Sequence, residues 1–206
     1  MSNLLNINDI CFGHCPLLGP SLYIWVQGCR LRCPGCFNFT ALDREVIPHQ
    51  YTPKEVAQRC LKIGGGLILS GGEPFLQSKN LTEVCRIVRA TRPDTPILAY
   101  TGYTIEELIA KRSDEGENLL REIDILIDGP FDKERLIDDP LIGSSNQRIF
   151  RLSSRVPHRQ IQEIRSPQIQ ISMGSKGRIR VIGTGRKGMD MTAAIDRIYS
   201  HGIILE

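Results

Sequence analysis

No stretch of the 206-residue chain stays apolar for the roughly 18 residues that a membrane-spanning helix needs. The opening run, MSNLLNINDICFGHCPLLGP, has no basic segment followed by a clean apolar stretch, so it does not read as a signal peptide. The expectation is a soluble, cytoplasmic protein with no membrane partner. Internal repeats and low-complexity linkers are also missing. With 41% hydrophobic and 6% aromatic residues the composition is that of a globular chain, which excludes a collagenous or wholly disordered one. A large charge of one sign is absent too, since the net charge is only +3. Its distribution is uneven, however. Residues 1–140 carry 15 basic and 19 acidic side chains, whereas 141–206 carry 11 and 4. That basic end is either an arginine-rich solvated face or a docking face for an acidic protein surface, a nucleotide or nucleic acid.

Seven cysteines are present, an odd number, so they cannot all pair within the chain. In a cytosolic protein, clustered cysteines more often bind metal or do chemistry than form disulfides. Cys60 and Cys85 stand alone on expected helices and read as small buried hydrophobes. The rest fall within the first 36 residues.

Strand and helix signals alternate through the middle of the chain. SLYIWVQG (21–28), GLILSGG (66–72), PILAYTGY (96–103) and the Ile123–Ile127 run read as buried strands. Between them, PKEVAQRCLKI (53–63), LTEVCRIVRAT (81–91) and TIEELIAKR (104–112) read as helices, the first capped by Thr52 and Pro53 and the third by Thr104. This alternation predicts an α/β fold with a parallel sheet of four or five strands, a partial (β/α) barrel. NQRIFRL (146–152) is a candidate further strand. QIQIS (168–172) and RIRVI (178–182) read as a hairpin, and MTAAIDRIYSHG (191–202) as a final helix. The chain thus divides into a core, 1–152, and a basic hairpin–helix extension, 153–206, packed on the same domain. Gln27-Gly28, Ser70-Gly71-Gly72-Glu73, Thr101-Gly102 and Asp128-Gly129 all lie just past the C-terminal ends of expected parallel strands, the edge that carries active sites in such sheets.

Directly after the first of those strands comes Cys29-Arg-Leu-Arg-Cys33-Pro-Gly-Cys36. Three thiolates on one short loop can wrap a corner of a metal cluster. A structural zinc site or a ferredoxin cluster wants four protein ligands, and no fourth is evident. Three ligands on a four-iron cluster leave one iron open for a substrate or cofactor.

On these residues the chain resembles radical S-adenosylmethionine (SAM) enzymes, whose hallmark is a CxxxCxxC loop. VQGCRLRCPGCFN, SGGEP, YTGY, DGPF and GSSNQR, in that order over residues 26–148, resemble the activating proteins of anaerobic ribonucleotide reductase. Gly35 replaces the aromatic residue that many radical SAM enzymes carry before the third cysteine, and the reductase activators are similar in this. The resemblance implies a [4Fe–4S] cluster on Cys29, Cys33 and Cys36, with SAM chelating the open iron. Ser70, Gly71, Gly72, Glu73 and Pro74 would bind the methionine ammonium, and Phe37 would pack near the adenine or serve as core. Thr101, Asp128, Asn146, Gln147 and Arg148 would hold SAM or substrate, or else cap turns. The implied reaction is reductive cleavage of SAM to a 5′-deoxyadenosyl radical that abstracts hydrogen from a glycine of a large partner enzyme. An external one-electron donor such as flavodoxin or ferredoxin would be needed. Two rivals remain at this point: a radical SAM enzyme acting on a peptide, nucleotide or nucleic acid, and a non-catalytic iron–sulfur or zinc module.

Other signals carry less. Cys11-Phe-Gly-His14-Cys15 lacks a third cysteine for an auxiliary cluster. Gly183-Thr-Gly185-Arg-Lys-Gly188 has the spacing of a dinucleotide fingerprint, but a single βαβ unit is too small for that fold. His158 and His201 stand without partners in the sequence and are given no role.

Overall fold

The computed structural model of the protein describes residues 3–42, 49–111, 113–162, 170–173 and 179–182. Its centre is a seven-stranded sheet in which four neighbouring strands run parallel: β2 (Gly19–Val26), β4 (Gly66–Gly71), β5 (Ile97–Tyr100) and β6 (Ile125–Asp128). β1 (Leu5–Cys15) pairs antiparallel with β2 and is flanked in turn by the short β3 (His49–Tyr51). β7 (Arg148–Arg151) closes the other edge, antiparallel to β6.

Helices α1 (Pro53–Ile63), α2 (Ser78–Thr91), α3 (Ile105–Ala110) and α4 (Asp114–Glu122) occupy the connections between the parallel strands. The caps explain two of the starts. Thr52 accepts the Glu55 N–H while Glu55 accepts the Thr52 N–H, and Thr104 and Glu107 repeat the exchange at α3. Successive strand residues point to opposite faces. Leu22, Ile24 and Val26 join Leu67, Leu69, Ile97 and Ala99 in one buried cluster with the apolar sides of α1 and α2. Tyr23, Ile68, Leu98, Ile125 and Ile127 form a second cluster with Cys11, Cys15, Leu141, Val156 and Ile182. Both faces are apolar, as a sheet covered on both sides requires. Each fully buried aliphatic side chain contributes about 1.5–3 kcal/mol to this core.

One buried carboxylate ties the far side of the sheet together. Asp124 has no solvent exposure. It accepts hydrogen bonds from Arg89 of α2 at 2.7 Å, the Ile97 N–H at 2.8 Å, Arg155 at 3.2 Å and the Ser153 hydroxyl. An α2 side chain, the start of β5 and the segment after β7 are thereby fixed to the entrance of β6.

The mixed α/β fold and its four expected parallel strands are present. The structure corrects several details. NQRIFRL does form a strand, but it runs antiparallel, so the parallel sheet has four strands and not five. An N-terminal strand, β1, and a separate helix, α4, occupy positions with no sequence-based expectation. β1 alternates polar and apolar irregularly and carries a register shift between Ile7 and Asp9, which hides its period of two. The C-terminal pair is antiparallel, β8 (Gln170–Met173) with β9 (Ile179–Ile182). The final helix expected at 191–202 and the glycine turn at 183–188 lie outside the described residues. Cys60 and Cys85 are both buried in the first cluster, as expected. Within the basic end, Arg148 pairs with Asp128 and Glu106, and Arg155 with Asp124, while Arg151 donates to the Val156 carbonyl. These three cations serve intramolecular contacts. No helix among the described residues is long and apolar enough to cross a membrane.

Removing Asp124 leaves the largely buried Arg89 with Glu122 alone, at 3.3 Å, and takes the acceptor from the Ile97 N–H and the Ser153 hydroxyl, so a buried pair and its hydrogen bonds are broken together. Asp124→Ala is expected to lower stability by roughly 3–5 kcal/mol in denaturant titration. Glu117→Ala, which breaks the exposed pair with Arg121, is expected to change it by about 0.5 kcal/mol or less.

Candidate functional site

The parallel pairing of β2 with β4 puts Val26 beside Gly71. The segments that leave these two strand ends must therefore meet. The cysteine loop leaves β2, and Gly72-Glu73-Pro74 leaves β4. The two are joined through the backbone. Glu73 N–H donates to the Gly28 carbonyl at 2.9 Å, Gly72 N–H to Val26 at 2.8 Å, and Gly28 N–H to Ala41 at 2.7 Å. A Cβ on Gly72 would lie 2.3 Å from the Gly28 oxygen and 2.8 Å from that of Ala41. Glycine is needed here because the cysteine loop's own backbone occupies the space.

Above this junction lies a cavity of about 310 Å³, within the roughly 300–1,000 Å³ range of small-molecule sites. Cys29, Cys33 and Cys36 all line it, with Phe37, Ser70, Gly71, Gly72, Glu73, Thr101 and Gln147 on its other walls. Cys29 is buried, and its Sγ accepts the Leu31 N–H at 3.4 Å. Burial pushes the Cys33 and Cys36 thiols up, and the neighbouring loop cysteines push the same way. A bound cation is what would favour their thiolates. Among the described residues no three Cys, His, Asp or Glu side chains converge closely enough to hold one metal ion. A cluster presents a separate iron to each thiolate, so its cysteines need only border a common space, as these do.

Glu73 is the other notable group. Only 1% exposed, its carboxylate accepts hydrogen bonds from the Thr101 hydroxyl at 2.9 Å, the Gly102 N–H at 2.9 Å and the Phe75 N–H at 3.0 Å. All three donors are neutral, and no salt bridge among the described residues includes it. Desolvation consequently pushes its pKa up to about 7, against the opposing pull of those donors and the weaker one of Lys111. Pro74 is buried and opens a short 3₁₀ turn, Pro74–Gln77, with Glu73 as its cap.

The remaining residues divide. Phe37 is 42% exposed and tilts against Phe131 with ring centroids 5.0 Å apart, so it is a wall of the cavity mouth, not core. Gln147 accepts the Gly143 N–H and donates to Gly129. Pro74, Asp128, Asn146 and Arg148 do not line the cavity. Asp128 is fully buried and takes a two-pronged contact from Arg148, at 2.9 and 2.5 Å, plus the Ile105 N–H at 2.7 Å. Asn146 donates to the Pro130 carbonyl at 2.6 Å. Sequence reasoning missed the aromatic floor, Tyr23, Trp25 and Tyr100. Its signal was present, since Tyr23 and Trp25 alternate with Leu22, Ile24 and Val26 and so mark the opposite face of β2. Cys15 also lines the cavity, at the end distant from the cysteine loop.

Residues 18–150 match the family described as the 4Fe-4S single cluster domain. The chain is 33% identical over 147 residues to the anaerobic ribonucleoside-triphosphate reductase-activating protein of Vibrio cholerae, covering 66% of this chain and 90% of that protein. The protein of the same name from Escherichia coli K12 is 30% identical over 150 residues, covering 65% and 90%. That of phage T4 is 30% identical over 139 residues, covering 64% and 84%. The crystal structure of QueE from Escherichia coli is similar with a TM-score of 0.40 at 15% identity, covering 50% of this chain and 55% of that one.

Glu73 makes the stability of the metal-free protein depend on pH. Its pKa is higher folded, about 7, than the ordinary 4.5, so folding favours the protonated form. The stability this contributes is full below about pH 4.5 and is lost as pH rises through 7, by roughly 3 kcal/mol at 1.36 kcal/mol per pH unit. In urea titrations across that window, wild type is expected to lose this amount relative to Glu73→Gln.

Proposed function

The chain belongs to the family of 4Fe-4S single cluster domains and, within it, to the anaerobic ribonucleoside-triphosphate reductase-activating proteins, and on that premise we propose that it is a radical SAM activase. Cys29, Cys33 and Cys36 hold a [4Fe–4S] cluster, and Ser70 to Pro74 receive the methionine end of SAM. Together, when bound, the cluster and SAM supply a one-electron reductive cleavage giving methionine and a 5′-deoxyadenosyl radical, which takes hydrogen from a glycine of a large partner reductase.

The observation that carries this proposal is the shared cavity. Three cysteines border one side of it, the Ser70–Glu73 turn borders another, and the backbone bond from Glu73 N–H to the Gly28 carbonyl holds the two in register. The loop's three thiols leave one position of the cluster for a ligand, since Cys15, the other thiol on the cavity, pairs with Gly19 at the opposite end of β2. The carbonyls of the glycine turn and the Glu73 carboxylate are acceptors only, the chemistry an ammonium asks for. A positive group there would meet a carboxylate that forms no salt bridge among the described residues. Phe37 and Phe131 offer apolar ring faces at the mouth, suited to a flat base. Gln147, fixed by Gly143 and Gly129, keeps the wall beside them in place. Asp128 and Arg148 act one layer further out, anchoring the start of α3 to β7. The aromatic floor of Tyr23, Trp25 and Tyr100 keeps water from the interior side. The electron comes from an external carrier of the flavodoxin or ferredoxin kind.

Reconstituted anaerobically with iron and sulfide, then given dithionite and SAM, the wild type is expected to form 5′-deoxyadenosine. Cys33→Ala is expected to form none above background. A loaded four-iron cluster that yields no 5′-deoxyadenosine, even with anaerobic reductase present, would contradict the proposal.

A further inference from the structure

Thr101 stands just past the end of β5 on the cavity wall, where its residue type suits a contact to SAM, yet its hydroxyl is engaged by neighbouring residues. It is 4% exposed, and its hydroxyl donates to Glu73 Oε1 at 2.9 Å. The same oxygen accepts the Tyr103 N–H at 3.2 Å, which uses the acceptor side of the hydroxyl and leaves its proton for Glu73. The next residue, Gly102, donates its N–H to the other carboxylate oxygen, Oε2, at 2.9 Å. The β5 turn therefore grips both oxygens of Glu73 from one side.

Gly102 also faces the cysteine loop. A Cβ at this position would sit 2.3 Å from Cδ1 of Leu31 and 3.8 Å from Glu73 Oε2. Leu31 lies between two of the three cysteines, and its N–H donates to Cys29 Sγ. A continuous chain of contacts thus runs from Cys29 through Leu31 and Gly102 to Glu73. Nothing in it requires Thr101 or Gly102 to touch a ligand.

We infer that Thr101 and Gly102 are positioning residues: they aim the Glu73 carboxylate and seat Leu31, so that the cluster ligands and the ammonium site keep a fixed spacing. This rests on the proposed radical SAM function and specifies how its site is held. A buried carboxylate gripped on both oxygens loses rotamer freedom before the ligand arrives, which is where preorganisation improves binding.

The test uses the full chain with its cluster reconstituted. SAM affinity is measured by equilibrium dialysis and the reduced cluster by electron paramagnetic resonance, alongside kcat and KM. Thr101→Val removes the hydroxyl at nearly constant volume. It is expected to weaken SAM binding about tenfold, the scale of one hydrogen bond to a charged group, with cluster content unchanged. Thr101→Ser, which keeps the hydroxyl, is expected to bind within about twofold of wild type. Gly102→Ala is expected to alter the resonance of the reduced cluster even without SAM, because Leu31 must move. Equal weakening by Thr101→Val and Thr101→Ser would mean that packing, not the hydroxyl, is at stake, and would overturn the assignment. So would wild-type affinity in Thr101→Val when Glu73→Gln binds weakly. If Glu73→Gln itself binds SAM normally, the placement of the ammonium on Glu73 fails, and the positioning role fails with it. Should Thr101→Val not fold, the Thr101→Ser affinity and the Gly102→Ala resonance decide, since normal spectra and affinity in Gly102→Ala would sever the Leu31 link.

Discussion

A single backbone hydrogen bond, from the Glu73 N–H to the Gly28 carbonyl at 2.9 Å, locks the two halves of the site against each other. It forms only because β2 and β4 are parallel neighbours and because Gly72 has no side chain to hold the strand ends apart. From that junction the cysteine loop leaves in one direction and the carboxylate-bearing turn in the other. A residue with a Cβ at 72 would have to displace the loop's backbone, which cannot yield as a flexible side-chain tip can. The usual account of such a glycine is close approach of the ligand. In this chain the close approach is that of the protein's own loop.

The electrostatics of the cavity depend on the groups which that junction gathers. The three thiols of the cysteine loop, the Cys15 thiol and the Glu73 carboxyl group border one space of about 310 Å³, and burial opposes the charged form of Cys33, Cys36 and Glu73. Without cations in the site, burial favours the protonated form of those groups. With positive charge inside it, the same groups become anions that are desolvated and close, where attraction is strong. On the proposed function, iron would answer the thiols, and the amino end of SAM, its nitrogen on the open iron and its N–H groups toward Glu73, would answer the carboxylate. The hydrogen bonds from Thr101, Gly102 and Phe75 keep Glu73 oriented in either state, which is why a neutral donor set there is informative. The Asp128–Arg148 contact, by comparison, is closed on itself and belongs to the frame.

The parallel strands were legible because buried apolar runs ending in glycine turns leave a strong local pattern, as in GLILSGG. So was the convergence of Cys29, Cys33, Cys36 and the Ser70–Glu73 turn on one edge, since strand direction alone dictates it. Two kinds of feature were not legible. β1 has an irregular alternation, and β7 could have run either way, because direction is set by the partner strand and not by local residues. The second kind is side-chain direction. Thr101, Asp128 and Arg148 lie at the right edge of the sheet, but whether a side chain turns to the cavity or to a neighbour depends on hydrogen bonds between residues far apart in sequence. Thr101 to Glu73 spans 28 positions, and Arg148 to Asp128 spans 20. Short motifs identify which turns meet; they do not say which side chains meet.

The most direct test of the central claim is electron–nuclear double resonance on the reduced cluster with SAM carrying ¹⁵N in its amino group. A ¹⁵N coupling that disappears in Cys33→Ala is the expected result, because it requires the amino end of SAM to reach the iron that the three cysteines leave open. A reduced four-iron cluster with no coupling to the labelled nitrogen, at SAM concentrations where binding is saturated, would separate the cysteine loop from the Glu73 turn and contradict the shared site.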